Sequence, residues 1–371
     1  MNDLHGILFA YRSDANLGEL TRPRNTCSLP FGGRYRLIDF MLSNYVNAGI
    51  SDVGVVVHKS YQSLLDHVGS GKDWDLSRKH GGLRILPPFS TAESAHHTYS
   101  GTLDALTGVS TYLSSIRQEH VVLAWGDMAL NIPLSAVYQQ HVERGSDVTM
   151  VCSDRHYGVP SSTQYLTTTS DGRVLDVLTY PSTAPEAAEF LSICILSKSL
   201  LLELIEDCAT HDVHTFTRGA LLPRLGELNI HTYTHTGYVA RFDSVRDYFD
   251  RSMDLLDPDV RRQLFLPDSP IRTKDRSDPS TYYSPDSKVT NSLIADGCVI
   301  EGKVENSIIF RGVTVEKGAH VRNCVLMQGT VVKAGADLAY AIADKNVTVE
   351  TGHCLLGNAA FPIAIGKDST V

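Results

Sequence analysis

The sequence predicts an α/β domain, with helices on both faces of a sheet, followed by a parallel β-helix. Two patterns carry this prediction. Over the first two-thirds of the chain, short apolar runs alternate with longer amphipathic stretches of helical period. Nearer the C-terminus, glycines and β-branched residues recur at an offset of 17.

Gly6-Ile7-Leu8-Phe9-Ala10 reads as the first strand. Tyr35 to Ala48 carries Leu37, Ile38, Met41, Leu42, Tyr45 and Val46 at helical spacing, and Gly49 ends it. Val53 to Val57 is a β-branched run suited to a strand buried on both faces. Tyr61 to Val68 reads as helix, Leu83 to Leu86 as strand, Thr102 to Ile116 as helix and Val121 to Trp125 as another buried strand. Ser135 to Arg144 is a helix before the strand Asp147 to Cys152. Between Tyr157 and His235 strands and helices mix, with Leu200 to Ile205 and Ala220 to Leu228 helical. The helix Ser244 to Leu255 precedes Asp257 to Ser287, where Pro258, Pro267, Pro270, Pro279 and Pro285 indicate an ordered linker. In the repeat, Gly318, Gly335 and Gly352 align, as do Val315, Val332 and Val349, and Ile308, Val325 and Ile342. About four coils fit between Asn291 and Gly352. The expected division is 1–257 for the α/β domain, 258–284 for the linker and 285–371 for the β-helix. In such sheets ligands lie beyond the carboxyl ends of the strands, so the loops after Ala10 and Trp125 are the candidate sites.

Composition narrows the function. Of 371 residues, 42% are hydrophobic and 20% charged, a folded rather than a disordered chain. Lys plus Arg number 33 against 42 Asp plus Glu, a net charge of −9, so neither nucleic acid nor an anionic membrane is an expected partner. No apolar run approaches the ~18 residues of a membrane span. The seven cysteines form no C-x-x-C pair and are expected to be buried free thiols in a reducing cytoplasm. The opening Met1-Asn2-Asp3-Leu4-His5-Gly6 has no basic region or cleavage site, so no signal peptide is expected. Trp125 reads as core, Thr91 to Tyr99 as a mobile loop, and His96-His97 as solvent-facing. Arg22, Arg24, Arg34 and Arg36, with no acid among residues 22–36, are candidates for an anion site.

Several segments then resemble the glucose-1-phosphate adenylyltransferase (ADP-glucose pyrophosphorylase) family. They are Pro30-Phe-Gly-Gly-Arg-Tyr-Arg-Leu-Ile-Asp-Phe40, Leu42-Ser-Asn-Tyr-Val-Asn-Ala-Gly-Ile50, Tyr99-Ser-Gly-Thr-Leu-Asp-Ala105, Gly126-Asp127 and Pro270-Ile-Arg-Thr273. The resemblance implies a Rossmann-like, GT-A-like nucleotidyltransferase domain with a mixed sheet, joined to a hexapeptide-type left-handed β-helix. It also implies transfer of an adenylyl group from ATP to glucose 1-phosphate, which needs a phosphate loop, basic side chains and carboxylates on Mg²⁺.

The chain departs from the family at those places. The family loop G-G-x-G-x-R-L is Ala10-Tyr-Arg-Ser-Asp-Ala-Asn-Leu17, with Tyr11, Arg12 and Asp14 where glycines would be. The Lys of R-A-K-P is Thr26. The first metal carboxylate survives as Asp127, whereas Arg241 falls at the second and Asp243 lies two positions on. Thr179 and Tyr180 stand for the Glu and sugar-phosphate Lys of F-V-E-K-P. Asp127 and Asp243 are therefore expected as vestiges, with Asp127 the candidate metal ligand, and no catalytic set is intact. Gly101, Thr102, Asp104 and Tyr180 are expected at the substrate pocket, and the four arginines at an effector site between the domains.

This pattern resembles the GlgD-type second subunit, which implies a regulatory partner of a catalytic subunit in glycogen biosynthesis, in a tetrameric hetero-oligomer binding an anionic sugar-phosphate or nucleotide effector. No cofactor is then required, and Mg²⁺ matters only if the residual site is active. The alternative is a working adenylyltransferase with a rebuilt site, using Asp127 and Asp243 for Mg²⁺ and Arg12 for the triphosphate. An acyltransferase is disfavoured, because His320 and His353 are the only histidines of the repeat.

Overall fold

The strand β1 (Leu4–Ala10) is buried along its whole length, because alternate side chains enter different cores. Leu4, Leu8 and Ala10 pack on one face of the sheet and Ile7 and Phe9 on the other. The computed structural model describes residues 3–12, 15–58, 60–87, 99, 101–157, 163–179 and 186–371. Short ribbon strands β2 (Pro30–Phe31) and β3 (Tyr35–Arg36) lead into helix α1 (Leu37–Asn47). Then come β4 (Asp52–Val57), α2 (Gln62–Val68), β5 (Gly82–Leu86), α3 (Thr102–Thr107), α4 (Ser110–Ser115), β6 (His120–Trp125), β7 (Ala129–Leu130), α5 (Leu134–Glu143) and β8 (Val148–Ser153). They are followed by β9 (Tyr165–Thr168), β10 (Val174–Leu178), β11 (Ala188–Ser197), α6 (Lys198–Thr210), β12 (Ile230–Thr234), β13 (Val239–Ala240), α7 (Val245–Asp254) and α8 (Pro258–Leu264).

Nine of these strands form one sheet in the order β10-β9-β11-β6-β1-β4-β5, with β8 paired to β11 and β12 to β8. β1 is parallel to β4 and β6, whereas β11 runs antiparallel to β6, β8 and β9, so the sheet is mixed. α1 covers one face with Ile38, Met41, Leu42 and Tyr45, whose hydroxyl donates to the Ile7 carbonyl at 2.9 Å. Leu103, Leu106, Leu113, Leu201 and Leu204 of α3, α4 and α6 cover the other.

Two expected helices differ. Thr102 to Ile116 is broken between α3 and α4 at Gly108-Val109, where glycine weakens helix continuity. Ala220 to Leu228 is not an α-helix: a wide π-type turn, Phe216–Leu221, leads into a 3₁₀ turn, Leu222–Arg224. Pro223 inside it cannot donate to a helical ladder.

The C-terminal part is three parallel sheets of five strands each, hence five coils rather than about four. The first strand, Tyr282–Tyr283, falls in the stretch expected to be linker. The 17-residue offset holds through Lys303, His320, Asp337 and Cys354, which stack in register. It shortens in the first coil, where Lys288 lies on Lys303, and lengthens in the last, where Ala341 lies on Ile363. Asn291, Asn306, Asn323 and Asn346 turn corners at positive φ, a conformation asparagine tolerates.

The two parts share an apolar junction. Phe31, Phe40, Tyr248 and Phe249 of the α/β domain pack with Ile308, Phe310, Val325 and Met327 of the β-helix. At its edge Arg24, 2% exposed, makes two 2.9 Å bonds to fully buried Asp344. The proline-rich stretch is strapped down: Asn131 donates to the carbonyls of Leu264 and Ser269, and the Arg272 amide to Ser43 Oγ at 2.8 Å. Six cysteines are buried thiols, but Cys354, on the last coil, is exposed. Among the described residues no helix is long and apolar enough to cross a membrane.

Candidate functional site

β1 and β6 are parallel neighbours, with Phe9 opposite Trp125, so the residues that follow them emerge side by side at the carboxyl edge. Those residues are Arg12 and Asp127. The short antiparallel pair β7 and β13 then returns the chain to the same edge and delivers Asp243. Arg12 Nη1 donates to Asp127 Oδ2 at 3.1 Å, and Nη2 donates to Asp243 Oδ1. Both carboxylates are buried. Burial alone would pull the Arg12 guanidinium down, but Asp127 and Asp243 hold it above the usual arginine value. The loop is braced from below, since the Thr26 amide donates to the Arg12 carbonyl at 3.1 Å and Asn25 Nδ2 to the Ala10 carbonyl at 2.8 Å.

Tyr11 does more than replace a glycine. Its ring lies 4.9 Å from that of Trp125 and 5.4 Å from that of Tyr99, while Phe9 is 5.3 Å from Trp125. Trp125, expected in the core, is only half buried and lines the adjoining cavity of about 360 Å³. Thr102, Thr163, Gln164, Ser192 and Thr217 give this cavity a hydroxyl- and amide-rich wall, and Arg12, Asp127 and Arg241 supply its charges. Ser192 reaches it because β11 bulges between Phe190 and Ile193 and Ser192 takes φ of 56°.

The predicted substrate residues separate here. Thr102 lines the cavity. Gly101 sits where a Cβ would come within 2.1 Å of the His214 carbonyl oxygen, so it serves close packing. Asp104 holds His214 Nδ1 at 2.5 Å, and this bond lifts the imidazole above its ordinary value. Tyr180, His96-His97, Asp14 and all of the Thr91 to Tyr99 loop but Tyr99 lie outside the described residues. Arg241 does not enter the carboxylate pair: its Nε is 2.7 Å from Glu189 Oε1 and Nη2 donates to the Phe190 carbonyl.

The four arginines do not form one cluster. Arg22 is exposed and pairs with Glu19, and Arg24 is committed to Asp344, with Nη2 donating to both carboxylate oxygens while Nη1 reaches the Leu20 carbonyl. Arg34 and Arg36 do converge, and they line a cleft at the domain junction together with Lys274, Arg276, Arg311 and Lys345. Burial, Arg36 and Arg24 lower the Lys345 ammonium to about 7. Burial and the neighbouring Arg24 and Arg276 bring Arg36 down to about 10, against the pull of Asp39. Burial and Arg34 likewise lower Arg311. Crowded cations of this kind favour an anion among them.

Residues 14–234 match the Nucleotidyl transferase family model, and residues 281–359 match GlmU-like, C-terminal hexapeptide. Glycogen biosynthesis protein GlgD of Bacillus subtilis (strain 168) is 37% identical over 368 residues, covering 99% of this chain and 96% of the relative. The chain belongs to the GlgD-type glucose-1-phosphate adenylyltransferase family. The GlgD of Geobacillus stearothermophilus is 38% identical, over 86% of this chain and 83% of its own. Glucose-1-phosphate adenylyltransferase of the same organism is 32% identical, over 85% and 82%.

In this GlgD-type chain, sequence reasoning placed Asp127 and Asp243 but missed most of what surrounds them. The walls Thr163, Gln164, Ser192 and Thr217 come from segments without a motif. Lys345 and Arg311 had one available signal: they are long cations interrupting an apolar repeat next to its corners.

Proposed function

We propose that this chain is a regulatory subunit of ADP-glucose pyrophosphorylase in glycogen biosynthesis. It pairs with a catalytic homologue, modulates its activity, and makes little or no ADP-glucose alone. One observation carries this reading: the Arg12 guanidinium lies between Asp127 and Asp243. An adenylyltransferase needs those carboxylates for its metal and the loop around Arg12 for its triphosphate. Here both are engaged with each other, and Tyr11 fills the neighbouring space with a ring. The names of the two GlgD relatives support the pathway. The cationic cleft of Arg34, Arg36, Lys274, Arg276, Arg311 and Lys345 supports an anionic sugar-phosphate or nucleotide effector. Exposed Tyr282 and Tyr283 on the first coil, and Leu356 and Phe361 on the last, support assembly through the β-helix, with a tetramer as the expected state.

ADP-glucose formation is measured for the purified chain, for a catalytic homologue and for the mixture. The expected result is background turnover by the chain alone and an altered rate or effector response on mixing. Robust turnover by the chain alone would overturn the regulatory reading, and an unchanged mixture would overturn the partner assignment.

A further inference from the structure

The family chemistry places Mg²⁺ on a pair of carboxylates, and the residues here do not fit that ion. Asp127 and Asp243 face each other across a guanidinium, one nitrogen on each. Mg²⁺ requires an octahedral shell of oxygens at about 2.0–2.1 Å. Arg12 occupies the space that shell would need, and it cannot be deprotonated to make room. Among the described residues no group of three or more His, Cys, Asp or Glu side chains gathers to hold a metal. The Arg12 carbonyl accepts from the Thr26 amide, the adjoining Tyr11 is held by the Trp125 ring, and the Ala10 carbonyl accepts from Asn25 Nδ2. The loop that carries Arg12 is thus anchored, and its side chain, 27% exposed, is held at the cavity wall by the two carboxylates.

We propose that Arg12 is a tethered cation that stands in permanently for a divalent ion. It neutralises Asp127 and Asp243 and joins two segments distant in the chain, the loop after β6 and the segment after β13. The cleft therefore keeps its closed carboxylate pair in every ionic condition, with no metal bound at this position. The inference extends the non-catalytic reading and rests on it for its meaning, but its test reads metal binding and stability, so the two can fail separately.

The full-length chain is titrated with Mn²⁺, and free Mn²⁺ is followed by electron paramagnetic resonance. The wild-type chain is expected to show no site that depends on Asp127. Arg12→Ala is expected to gain one Mn²⁺ per chain, at least an order of magnitude tighter than any wild-type binding. Adding Asp127→Asn or Asp243→Asn to Arg12→Ala abolishes that site. Arg12→Ala also melts at lower temperature than wild type, and Mn²⁺ restores part of the loss, whereas Arg12→Lys keeps a cation in place and gains no site. If Arg12→Ala does not fold, Arg12→Gln, neutral and close in shape, replaces it. A wild-type Mn²⁺ site lost in Asp127→Asn would overturn the proposal, as would failure of the neutral variants to gain one. Metal binding by a wild-type chain without turnover would overturn this inference and leave the regulatory reading standing. An unchanged rate on mixing with a catalytic homologue, with no metal bound here, would do the reverse, whereas turnover by the chain alone would overturn both, because that chemistry needs a metal on these carboxylates.

Discussion

Arg24→Ala should destabilise the protein by about 3–5 kcal/mol, the usual cost of leaving one member of a buried ion pair alone. The partner left behind is Asp344, fully buried and otherwise bonded to the Lys345 amide at 2.7 Å. Its charge has no water to turn to. The paired change Arg24→Met with Asp344→Asn should recover much of the loss, because it removes both charges and keeps an acceptor for that amide. Urea unfolding of the three variants checks this. A loss of under about 1 kcal/mol in Arg24→Ala would place the pair among weak surface bridges. The result would also return Arg24 to the candidates for anion binding, from which its geometry removes it.

The second large effect concerns the cationic cleft. Lys345→Met should weaken pyrophosphate binding about 10–100-fold at pH 6.5, the loss of one charged hydrogen bond of ~1.5–3 kcal/mol. The wild-type cleft should also be pH-dependent. Lys345 is lowered to about 7 by burial and by Arg36, Arg24 and Arg276, against a raising influence from Asp344. Below that pH it is an ammonium and attracts the anion; above it, it is a neutral amine. Affinity should therefore fall as pH rises through 7, and binding near neutrality should take up protons. Calorimetry in two buffers of different ionisation enthalpy reads that uptake. Equal enthalpies in both buffers, or an unchanged affinity in Lys345→Met, would exclude Lys345 from the site.

Legibility in the sequence followed range. β1 announced itself by an apolar run and β4 by a β-branched one, and the coils by a repeat that needs only nearest neighbours in space. Asp127 was legible because it follows a buried strand, in one of the two loops where a ligand is expected. What stayed hidden depended on distant pairs. Arg12 and Asp243 are 231 residues apart, and Arg24 and Asp344 are 320 apart. No local period encodes such meetings, so Arg24 read as an anion ligand and Arg241 as an intruder in the metal pair. The break at Gly108 and the turn at Pro223 were locally visible but were overridden by the apolar pattern around them.

The apolar junction between the α/β domain and the β-helix has a mechanical consequence. Phe31, Phe40 and Tyr248 share one core with Ile308, Phe310 and Val325, so neither part can lose its packing without exposing the other. The chain should behave as one cooperative unit, melting in a single transition. A force applied to the outer coils would then be transmitted, through that shared core, to the helix α1 that backs β1 and the loop carrying Arg12.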